Sequence, residues 1–73
     1  MTQDNIIAAC KESAKFSFSP KFTLFGVSAM GEYTLITNVG TAEAIAERFR
    51  DEAMIGDHAG LEIRCDGIRV DLS

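Results

Sequence analysis

The run Leu61-Glu62-Ile63-Arg64-Cys65-Asp66-Gly67-Ile68-Arg69-Val70-Asp71-Leu72 alternates apolar and polar residues on both sides of an Asp-Gly pair. Asp-Gly accepts the two positive φ angles of a type I′ turn, so the run predicts a β-hairpin with a two-residue loop. Such a loop sets the register. Cys65 then faces Ile68, Ile63 faces Val70 and Leu61 faces Leu72, all six on one side of the pleat. A lone two-stranded ribbon is barely stable in water, so the rest of the chain must cover this apolar face.

A helix is predicted over residues 4–15, capped by Asp4 or by Thr2 before it. Ile6, Ile7, Cys10 and Ala14 form its stripe, while Lys11, Glu12 and Lys15 face away. Pro20 keeps the helix from running on and pushes Ser19 towards extended geometry. Phe16-Ser17-Phe18-Ser19 before it reads as a short edge strand or as a connector whose phenylalanines close one end of the core.

Residues 21–28 and 32–39 read as a second hairpin with Met30-Gly31 as its loop. In that register Phe22, Leu24, Tyr33, Leu35 and Val39 share one face. Phe25, Val27 and Ile36 share the other, with Thr23 and Thr34. This ribbon is apolar on both sides, which a sheet with one solvated face does not explain. Phe25, Val27 and Ile36 are therefore the candidate interface.

Gly40 breaks the strand and Thr41 caps a second helix. Ala42, Ile45, Ala46, Phe49 and Ala53 recur at helical spacing, and Gly56 suits the left-handed C′ position. Met54 and Ile55 fall off that stripe and are expected to turn inward at the helix exit. The element order is thus helix, hairpin, helix, hairpin. The expected fold is α+β, two helices on one face of a four-stranded, mostly antiparallel sheet, in one domain spanning residues 1–73.

Composition narrows function by exclusion. A net charge of −4 opposes a phosphate-tracking surface, so no nucleic-acid partner is expected. No charged n-region leads into an apolar segment and no apolar run approaches a membrane span, so neither secretion nor insertion is expected. Two cysteines without a pairing pattern suit a reducing cytoplasm. With one histidine they cannot build a closed zinc site, and no cofactor is expected. A chain this short is marginally stable, and oligomerisation is the remedy its composition leaves open.

Four side-chain groups carry chemistry. Cys10 and Cys65 lie on predicted inner faces and read as small apolar filler rather than reactive thiols. His58 beside Asp57 has no nucleophile placed by motif and reads as a surface-loop residue, so no enzyme activity is expected. Glu43, Glu47 and Asp51 form an acidic ridge at i, i+4 and i+8, which could dock a basic partner or simply face water. Arg64 and Arg69 sit opposite one another on the outer face of the last ribbon. They suggest an anion site in a dimer groove, or else a lattice of diagonal pairs with Glu62 and Asp71.

The function expected is non-catalytic protein–protein interaction. A small cytoplasmic, bacterial or phage-type domain would self-associate as a homodimer, or regulate or inhibit a larger protein in fixed ratio. The alternative is small-molecule or anion binding through Arg64 and Arg69.

Overall fold

At Asp66 and Gly67 the backbone turns with φ of 52° and 85°, the two left-handed residues that the I′ loop requires. The computed structural model describes residues 2–72. The turn joins β3 (Gly60–Cys65) to β4 (Ile68–Arg69), with Arg64 opposite Arg69 and Cys65 opposite Ile68. The Val70 N–H donates to the Ile63 carbonyl at 2.8 Å, so the expected register continues past the short strand. Val70 is buried, whereas Ile68, at the sheet corner, is exposed.

The remaining elements are α1 (Gln3–Ser13), β1 (Phe22–Val27), β2 (Tyr33–Val39) and α2 (Ala42–Ile55). The sheet runs β2-β1-β3-β4, and each neighbouring pair is antiparallel. The α+β architecture inferred from the residue pattern is the one observed. Strand β1, Phe-Thr-Leu-Phe-Gly-Val, has no charge on either face and lies inside the sheet, with Phe22 and Leu24 buried on its inner face.

Thr2 caps α1, its hydroxyl accepting from Asn5 N at 3.2 Å, and Thr41 caps α2 by accepting from Ala44 N at 3.1 Å. Gly56 closes α2 with φ 75° and donates its N–H to the Glu52 carbonyl. Lys11 meets Glu43 while Gln3 meets Arg50, so the helices run antiparallel. The core joins Ile6 and Cys10 of α1 to Ala42, Ile45 and Ala46 of α2 over Phe22, Leu24, Ile63, Cys65 and Val70.

Three expectations are corrected. Phe16 and Phe18 do not close the core; Phe16 is 91% exposed and Phe18 wholly so. The Ser17 hydroxyl between them donates to Asp66 Oδ2 at 2.6 Å, and Lys21 N donates to Asp66 Oδ1 at 3.0 Å. Ser17 is thus tied to the hairpin, while the phenylalanines on either side of it stand in water. Met54 and Ile55 are exposed rather than turned in, because the buried stripe of α2 has left the core by its last turn.

The third correction concerns the β1–β2 register. Phe22 to Leu24 pair with Val39 to Thr37, as a two-residue loop would have them, but a bulge follows and Phe25 meets Leu35 instead of Ile36. The loop spans residues 28–32, where the Ser28 hydroxyl accepts the N–H groups of Met30 and Glu32 at 3.2 and 3.0 Å. A slip of one residue reverses every side chain beyond it. Tyr33 and Leu35 therefore join Phe25 and Val27 on the open face, and Ile36 packs against the core.

Candidate functional site

The face of the sheet away from the helices carries Thr23, Phe25 and Val27 from β1, Tyr33, Leu35 and Asn38 from β2, and Glu62 and Arg64 from β3. Phe25 and Tyr33 meet edge to face, with ring centroids 5.9 Å apart. The Arg64 guanidinium carbon lies 4.9 Å from the Phe25 centroid and 5.4 Å from that of Tyr33, within range of the ring quadrupoles.

Beneath this layer Glu62 is only 7% exposed. Its Oε2 accepts from Arg64 Nε at 2.6 Å and its Oε1 accepts from the Tyr33 hydroxyl at 3.2 Å. Arg69 Nε lies 3.6 Å from Oε1. A buried carboxylate requires such partners. Its hydrogen bond raises the Arg64 pKa further, so that side chain stays charged. The Thr23 hydroxyl donates to Asn38 Oδ1 at 2.6 Å at the end of the face.

Around this braced centre apolar surface remains open. Tyr33 is 52% and Leu35 56% exposed, and Phe25 and Val27 are partly covered. Of the expected interface residues, Phe25 and Val27 are on this face and Ile36 is not. Tyr33, Leu35 and the buried state of Glu62 escape sequence reasoning, since they follow from the bulge and from β1 lying beside β3.

The other candidates are dispersed. Arg64 and Arg69 do face each other, and both are turned onto Glu62, an anion supplied by the chain itself. Glu43 is held by Lys11 of α1 at 2.9 Å, and this hydrogen bond lowers its pKa. Glu47 and Asp51 are exposed. Cys10 and Cys65 are both free and buried. Burial, with Cys65 adding a smaller like-charge effect, pushes the Cys10 thiol up to about 11. Burial likewise raises Cys65, with Asp66 nearby.

His58 is a correction. It is half-buried rather than a free surface residue, with its ring packed over Gly26 and Nε2 3.8 Å from Glu52 Oε1. Glu52 Oε2 is engaged by Arg48 Nε at 3.3 Å. Among the described residues no helix is long and apolar enough to cross a membrane, and no cluster of His, Cys, Asp and Glu is placed to hold a metal ion. Compared with known families, curated proteins and solved structures, the chain matches none of them.

Proposed function

We propose that the protein is a non-catalytic interaction module that binds protein through the open face of its sheet. It associates with a second copy of itself, and in that form acts as a stoichiometric regulator or inhibitor of a larger protein. The carrying observation is the exposed pair Tyr33 and Leu35, beside the partly covered Phe25 and Val27, around a centre already braced by Glu62 and Arg64. Fully burying one large apolar side chain contributes roughly 1.5–3 kcal/mol. With Tyr33 and Leu35 about half exposed, each has roughly half of that still to gain. Their sum is a large share of the net stability of so short a chain, at about 0.05–0.15 kcal/mol per residue.

The cluster also has the chemistry of an interface centre. Tyrosine and arginine recur among binding hot spots, and side chains already locked by hydrogen bonds lose little entropy on docking. The test replaces Phe25 by Lys. Reconstitution with a partner identified from its host should lose association, with the circular dichroism spectrum retained. Association unaffected by Phe25→Lys would refute the reading.

A further inference from the structure

The two edges of the sheet differ sharply. Strand β4 is two residues long and ends in Arg69, a short and charged edge of the kind that resists further pairing. Strand β2 is seven residues long, Tyr-Thr-Leu-Ile-Thr-Asn-Val, without charge or proline. Glu32 is the sole Asp, Glu, Lys or Arg between Lys21 and Glu43. Elsewhere the chain, net −4, would set like charges against a second copy; along β2 it would not.

The ladder determines which backbone groups of β2 are free. Val70 N–H bonds the Ile63 carbonyl, so Ile63 turns its backbone to β4 and Arg64, next along, turns to β1. Arg64 pairs with Thr23, which directs Phe22 and Leu24 to β2 and their partners Val39 and Thr37 back to β1. Asn38 is left facing the free edge. At the other end Ser28 N–H bonds the Glu32 carbonyl, so Gly26 and its partner Thr34 also face inward and Tyr33 and Leu35 face out. The bulge at Ile36 lets two successive residues fill one ladder position. It thereby keeps Tyr33, Leu35 and Asn38 in phase along the outer edge.

We propose that two copies join edge to edge through β2, antiparallel about a two-fold axis at Leu35, into a continuous eight-stranded sheet. Leu35 then faces its own counterpart and Tyr33 faces Asn38 of the second copy. The axis is perpendicular to the sheet, so both open faces lie on the same side and merge into one apolar strip. This rests on the interaction reading above and specifies its geometry: the edge makes the dimer, and the doubled face is what a larger protein meets.

The experiment combines sedimentation equilibrium with amide hydrogen exchange on the intact chain. The expected result is a dimer in which exchange at Tyr33, Leu35 and Asn38 slows at least tenfold as concentration rises through dissociation. Asn38→Pro removes one outward N–H and no ladder bond, and should weaken the dimer at least tenfold. Asn38→Ala, which loses the same side chain but keeps the N–H, should leave the dimer intact. If concentration leaves those three amides unprotected, or if Asn38→Pro dimerises as well as Asn38→Ala, the edge geometry is wrong. A dimer abolished by Phe25→Lys but not by Asn38→Pro would mean face-to-face association, overturning this inference and sparing the interaction reading. A monomer at all concentrations also overturns it, leaving reconstitution with the larger partner to judge that reading.

Discussion

Gly26 lies on the buried side of β1, between Thr34 and Leu61, and His58 occupies the space where a side chain would stand. A Cβ built there would come within 2.3 Å of His58 Nδ1 and 2.5 Å of Cε1, closer than real atoms approach. The glycine backbone has no positive φ, and the three atoms nearest that Cβ all belong to the imidazole. Gly26→Ala should cost about 1–3 kcal/mol, the usual penalty of overpacking, and lower the melting temperature by about 4–8 °C per kcal/mol. In a His58→Ala background the obstacle is gone. There Gly26→Ala should be neutral or stabilising by about 0.4–1 kcal/mol, because alanine restricts the unfolded chain more than glycine does. Urea unfolding of the four proteins, followed by circular dichroism, closes the cycle, with an expected coupling of about 1–4 kcal/mol. An equal cost of Gly26→Ala in both backgrounds would show that His58 is not seated on that glycine.

Asp66 has its pKa lowered, first by the Ser17 hydroxyl and then by Lys21 N–H. A depressed folded-state pKa stabilises above the unfolded value and is lost as pH falls through the folded one. Asp66→Asn should therefore flatten the acid limb of stability below about pH 4, where carboxylates titrate; urea midpoints from pH 2 to 6 measure it, and superimposable pH profiles would count against the contact. Cys10 and Cys65 should react with a thiol reagent at pH 8 only as fast as the chain opens, since burial keeps both protonated; labelling within seconds in the native state would contradict this. Charge reversal at Glu47 and Asp51 should change the melting temperature by no more than a couple of degrees, as exposed charges contribute little. If the ridge docks a basic partner, the same variant loses binding in a titration with that partner, and unchanged binding leaves the ridge as a solvated surface.

The legible parts of this fold are those written in adjacent residues. Asp66-Gly67 specifies a turn by its own φ preferences, and the alternation around it carries the register out to Val70. Thr41 as a cap, Gly56 as a left-handed stop and the inward positions of Cys10 and Ile45 follow from local spacing, whereas of the two cap candidates for the first helix it is Thr2 that caps and Asp4 that lies within the first turn. The failures have more than one origin. One is a polar contact made at a distance, as when Ser17 binds Asp66 between the exposed Phe16 and Phe18. The Ser28 hydroxyl widens a two-residue loop to five, and the bulge then moves Tyr33 and Leu35 to the open face.

By itself, then, the sequence determined the elements, their order and, outside β2, which side of each is apolar, because propensity, capping and periodicity act over a few bonds. Only tertiary structure decided that β1 lies between β2 and β3, bringing Phe25 beside Glu62 and Tyr33 within reach of its carboxylate. A charged residue on a ribbon reads as solvated until the neighbouring strand is known. Here that neighbour is aromatic, and the pairing converts Glu62 from a surface charge into the buried anchor of the open face.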